Sequence, residues 1–193
     1  MPIWQPEPGD TPAVVDAIIV ENELIRDNWA QVDGWAPKGA ADMLAKSRLD
    51  WQASLSHCLR LWLEPPGEDD ADGRLILAWV TLGALVEGTM KFFLSVYLGD
   101  YRSAPVMRKE RAVDPDVLDL EHLRQFFRKR NVWADESETD RWDPWIIHIQ
   151  QRRNAIHAYE DRDIGTRREF EEDLRRYLEF LKELAHRTPW PEF

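Results

Sequence analysis

The segment Leu75–Leu98 limits the fold more than any other stretch, because it is apolar almost all the way round a helix. Such a helix has no face for water and must be enclosed by other helices or by lipid. Its uncharged run, Leu75–Val86, is twelve residues long, against the roughly 20 that a bilayer requires. Glu87 and Lys91 then interrupt it, four residues apart and so able to pair with each other. The segment is expected to be the core helix of a soluble protein. Gly83, Ala84 and Gly88 lie within it, where the glycines lower helix propensity and should let a neighbour approach closely.

A fully buried helix needs amphipathic covers, and the rest of the chain supplies them. Thr11-Pro12 offers a cap and a first-turn proline, and Val14, Val15, Ile18, Ile19 and Ile25 follow at helical spacing up to Trp29. The turn Asp33–Gly39 should end that helix, and a second is expected from Ala40 to Leu63 before the Pro-rich, acidic break Glu64–Gly73. Beyond the core helix, Asp100–Asp116 reads as a polar connection and Val117–Arg130 as the fourth helix. The fifth is expected to start near Asp140–Trp145, with Pro144 in its first turn. Thr166 with Glu169 forms a capping-box pattern opening the sixth helix, Thr166–Arg187. No run alternates strongly enough to demand a strand. The expected class is all-α, a helical bundle of five to six helices forming a single domain over residues 1–193, with residues 1–10 as an extended N-terminal arm.

The formal charge of −11 argues against a broad basic surface for long nucleic acid, though not against a small basic pocket. The lone Cys58 cannot form an intramolecular disulfide, and the first ten residues lack the features of a signal peptide, so a cytoplasmic location is expected. Cys58 itself falls in an apolar run and reads as a buried structural thiol. No zinc spacing or glycine-rich phosphate loop occurs, and neither a metal nor a cofactor is expected.

Polar chemistry gathers in Gln150–Gly165, which places Arg152, Arg153, Asn154, His157 and Tyr159 within eight residues. On an unbroken helix Trp145, Ile149 and Ile156 share one face, and Arg153 neighbours His157 at a spacing of four. Imidazole titrates near neutral pH and guanidinium holds phosphate through paired hydrogen bonds. Together they suit transesterification of RNA. Read without chemistry, the arginines pair with Glu160, Asp161 or Asp163 while His157 caps or packs. Glu87 is a candidate to orient an arginine or histidine from a facing helix. His148 lies four residues before Arg152, and Arg128 belongs to the densest basic run, Arg128–Arg130. His57, His122 and His186 have no ligand spacing and read as structural or exposed.

Arg152, four residues, His157, Ala158, Tyr159 resembles the signature of the HEPN domains, in which Arg is followed by four to six residues and His. The Tyr two places on resembles the toxins of HEPN–nucleotidyltransferase pairs. The resemblance covers Gln150–Gly165 and not the first 70 residues. It implies a HEPN-like helical bundle, usually a homodimer, in which Arg–His pairs of two protomers form a metal-independent endoribonuclease site of toxin–antitoxin or antiphage-defence type. On that reading His157 is the general acid/base, Arg152 and Arg153 bind phosphate, and Asn154 orients the site. Tyr159, His148 and Arg128 then contact the RNA substrate, and Tyr159 is also the target of inactivating nucleotidylylation. An antitoxin or defence-system protein is an expected partner. In the commoner form Arg-Asn is followed by three residues and His; here Arg153-Asn154 is followed by two, so motif spacing selects Arg152 and helical geometry Arg153. The alternative is a catalytically silent HEPN-like dimer acting as an adaptor or nucleotide-binding regulator.

Overall fold

The computed structural model describes residues 10–30, 32, 36–133, 135–157, 159 and 161–189. The expected arm, parts of the Asp33–Gly39 turn, and Ala158 and Glu160 of the polar cluster lie outside these residues. Among them the fold is all-α, with one two-stranded hairpin.

Helix α1 spans Thr11–Trp29, and its apolar stripe is buried from Val14 to Trp29. Its cap is Asp10 rather than Thr11: the Asp10 carboxylate accepts from the Ala13 N–H at 3.2 Å. Thr11 instead turns its hydroxyl towards Glu171 and Arg175. The single helix expected over Ala40–Leu63 is divided into α2 (Lys38–Lys46), α3 (Leu49–Cys58) and a 3-10 turn, Leu59–Trp62. The break is at Ser47, whose backbone is extended and whose hydroxyl bonds back to the Met43 carbonyl. Serine competes with helix in this way. Cys58, expected to be buried, is half-buried.

The apolar segment is α4, Ala71–Val96, and it packs on α2, α3, α6, α7 and α8. It is long and apolar enough to cross a membrane, yet 56% of its most apolar window is buried inside this fold. Its small residues do admit close neighbours. Gln52 of α3 seats its amide against Gly88 and donates to the Leu85 carbonyl at 2.9 Å.

The expected polar connection holds a helical turn, α5 (Leu98–Ser103), and the hairpin β1 (Met107–Arg108) and β2 (Arg111–Ala112). Lys109 and Glu110 both take positive φ, the backbone of a two-residue mirror-image turn. After a 3-10 turn at Pro115–Val117, α6 covers Leu120–Lys129, starting later than expected because Asp119 caps the His122 N–H at 3.0 Å. Helix α7 covers Glu136–Arg153 and starts earlier than expected, because Asp135 caps the Glu138 N–H at 3.0 Å. Pro144 therefore lies inside the helix, on an exposed face. Helix α8, Arg167–His186, follows the capping box that Thr166 and Glu169 form. Buried apolar residues from Val14 to Ala185 make one core cluster.

Candidate functional site

Helix α7 does not run unbroken through the polar cluster. It ends at Arg153, and residues Asn154–His157 form a 3-10 turn. Four residues of such a turn rotate by about 480° rather than about 400°. Arg153 and His157 therefore lose the adjacency expected of an α-helix. The apolar face breaks at the same point: Trp145 and Ile149 are buried, whereas Ile156 is 47% exposed.

Each arginine is engaged by carboxylates of the same chain. Arg152 is only 7% exposed. Its Nη1 donates to the Asp163 carbonyl at 2.6 Å and meets the Asp163 carboxylate at 2.5 Å, while Nη2 reaches Glu169 Oε1 at 3.3 Å. The guanidinium holds the Asp163 carboxyl below its usual range, helped by the Gly165 N–H. Gly165 takes φ +66°, and any Cβ there would stand 2.8 Å from the Arg152 guanidinium carbon, so both backbone and space demand glycine. Trp79 of α4 donates to the Ile164 carbonyl at 2.8 Å and fixes the same loop from below.

Arg153 leaves the opposite side of the turn and crosses α4. A Cβ at Gly83 would lie 2.6 Å from its Cδ, so the glycine provides the path for its stem. Its Nη1 donates to Glu87 Oε2 at 2.8 Å, and Lys91 donates to the other oxygen of Glu87 at 2.7 Å. Glu87 thus both pairs locally and orients an arginine from a facing helix. Asn154 is half-buried at the start of the 3-10 turn.

His157 projects from the end of that turn and is exposed. Among the described residues its ring makes no hydrogen bond. Tyr159 is fully exposed on a residue with φ 61°. Ile156, His157 and Tyr159 thus make an uncovered tip beside the anchored arginines.

A cleft of about 340 Å³ opens beside Arg152 and is lined by His148, Gln151, Arg152, Arg162 and Asp163. His148 therefore does share a groove with Arg152. Its Nε2 sits 2.8 Å from Asp173 Oδ2, and the Trp145 indole donates to Asp173 Oδ1 at 2.8 Å. Asp173 is 4% exposed and was not singled out from the sequence. The available signal was a carboxylate between Phe170, Leu174 and Tyr177 on the otherwise apolar stripe of α8, since a buried carboxylate requires donors.

Arg128 stands apart. It is exposed and lies 3.8 Å from Asp143, nine residues before Arg152 on α7, about 14 Å away along the axis. The remaining histidines are dispersed: His57 pairs with Glu23 and His122 with Asp119, and among the described residues no group of three His, Cys, Asp or Glu side chains is arranged to hold a metal. The cluster therefore resolves into an anchored pair of arginines, a histidine cleft and an exposed tip. Neither a protein-family model, nor a curated protein, nor a solved structure matches the chain.

Proposed function

We propose that the chain is a HEPN-like, metal-independent endoribonuclease of toxin–antitoxin or antiphage-defence type, working in the cytoplasm as a homodimer. The observation that carries this reading is the exposed His157 ring, free of hydrogen bonds among the described residues and lying in the sequence between fixed Arg152 and exposed Tyr159. An imidazole so placed is available to substrate. In the reaction His157 takes the proton of a ribose 2′-hydroxyl as the oxygen attacks its own phosphate, or returns a proton to the departing 5′-oxygen. The products are a 2′,3′-cyclic phosphate and a 5′-hydroxyl. Arg152 and Arg153 stabilise charge on the phosphate, and Asn154 orients it.

The exposed tip is what supports a homodimer in this reading. Within one protomer Arg152 faces Asp163 and Glu169, and Arg153 faces Glu87. A second copy would instead bring a second exposed His157 to the phosphate, and exposed Ile156 and Tyr159 offer apolar surface for that contact. Tyr159 then serves for base stacking and as the hydroxyl open to nucleotidylylation, while His148 lines the approach through its cleft. Arg128 would meet only RNA long enough to extend along α7.

The internal pairing of both arginines favours a second reading, a catalytically silent dimer that uses the tip as an adaptor or nucleotide-binding surface. Purified protein incubated with total RNA and a chelator separates the two. Cleavage products ending in cyclic phosphate, lost in a folded His157→Ala variant, support the nuclease. Cleavage unchanged by that substitution, or no cleavage by the wild type, overturns it.

A further inference from the structure

A second cavity, of about 390 Å³, shares no lining residue with the cleft beside Arg152 and lies where α4, α5, α6 and the end of α8 meet. Its walls are aromatic: Phe93, Tyr97, Tyr101 and Phe126 all face it, with Phe93 and Tyr97 centred 4.9 Å apart and Tyr101 and Phe126 likewise 4.9 Å apart. Two arginines complete it, Arg130 at the end of α6 and Arg187 at the end of α8. Mostly apolar concavities of this size with a few fixed polar groups are the usual form of small-molecule sites.

The arginines are the unusual part. Most arginines of this acidic chain meet a carboxylate, but neither Arg130 nor Arg187 forms an ion pair among the described residues. Arg130 donates to the Ala104 carbonyl at 3.0 Å, and Arg187 donates through Nη2 to the Val132 carbonyl. Arg187 also lies over the Phe93 ring, 5.2 Å from its centre. Its Nη1 is buried and has no acceptor among the described residues. A charged donor withdrawn from water without a partner is costly, and native proteins rarely leave one without a use. An anion in the cavity would offset that uncompensated positive charge through space.

Charge narrows the ligand further. Among the described residues Asp100 is the one acidic side chain lining the cavity, so two guanidinium groups and one carboxylate leave a single net positive charge there. That balance suits a monoanion and disfavours a phosphate monoester dianion. Guanidinium groups match the planar, two-oxygen geometry of carboxylates, and the aromatic walls match a flat ring.

We propose that this cavity binds a small aromatic carboxylate, with the carboxylate on exposed Arg130, the charge of Arg187 behind it, and the ring between Phe93, Tyr97 and Phe126. The site is independent of the nuclease reading. Calorimetric titration with indole-3-acetate tests it, alongside indole as the neutral ring, acetate as the bare anion and adenosine monophosphate as the dianion. The expected result is saturable one-to-one binding of indole-3-acetate, at least tenfold tighter than any of the other three. Arg130→Gln, which gives up one exposed hydrogen bond and leaves the aromatic walls intact, should weaken it about tenfold. Ala104→Trp should block it by filling the cavity while both arginines stay. Failure of indole-3-acetate to bind, equal binding of indole, or binding undiminished in both variants would overturn the proposal.

Discussion

Arg153 of α7 and Glu87 of α4 are joined by a 2.8 Å hydrogen bond, and the Arg153 stem that makes it lies over Gly83, where a side chain would stand in its way. The buried helix thus holds the end of the motif helix through a charge and a missing Cβ together. Gly83→Ala introduces a clash costing about 1–3 kcal/mol, offset by about 1 kcal/mol of helix propensity. Net destabilisation is expected in the wild type, and neutrality or slight stabilisation when Arg153→Ala is already present. Urea unfolding of the four proteins in a double-mutant cycle checks this; an equal effect of Gly83→Ala in both backgrounds would show that Arg153 is not the obstacle.

Asp173 is the shared acceptor for Trp145 and His148. Asp173→Ala leaves the buried Trp145 N–H without an acceptor and should cost about 1–3 kcal/mol, with Asp173→Asn costing less because its carbonyl can still accept one bond. Denaturant midpoints rank the two variants. A midpoint for Asp173→Ala equal to the wild type would mean that the network contributes nothing to stability.

Tyr177 is wholly buried against Thr89, and burial pushes its hydroxyl up to about 12. Its folded pKa is above the unfolded value near 10, so its contribution is fully present below about pH 10 and is lost as pH rises through about 12. Tyr177→Phe should lower stability at neutral pH by about 1 kcal/mol and flatten the decline between pH 10 and 12. Alkaline unfolding curves that keep the same slope in the variant would contradict the assignment.

Asp163 is depressed chiefly by Arg152, with the Gly165 N–H assisting. A depressed carboxyl contributes stability above its unfolded pKa and loses it as pH falls through the lower folded value, so this pair weakens only in acid below the ordinary range. In Arg152→Met the Asp163 carboxyl should titrate close to a normal aspartate, and amides from Asp161 to Gly165 should exchange faster. Proton-detected titration of the Asp163 side chain and hydrogen exchange measure both; an unshifted titration would remove Arg152 as the cause.

What the sequence determined by itself was set by period and by strong local signals. The apolar run around Trp79 and Met90 required a buried central helix, the stripe from Phe170 to Leu184 required an amphipathic cover, and Thr166 with Glu169 marked a helix start that the side chains then made. Weaker local signals misplaced boundaries. Asp135 outcompeted Pro144 as the start of α7, and Ser47 broke a helix that periodicity alone would carry through. The hairpin at Lys109-Glu110 uses positive φ without the glycine or asparagine that advertises it. Only the tertiary structure decided how the polar cluster is arranged. Spacing along a regular helix joined Arg153 to His157, but Arg152 is drawn to Asp163 and Glu169 and Arg153 to Glu87, partners 11, 17 and 66 residues distant. Charges buried at a helix end follow the partners that three-dimensional packing brings to them. The turn therefore tightens after Arg153, and His157 is left facing outward.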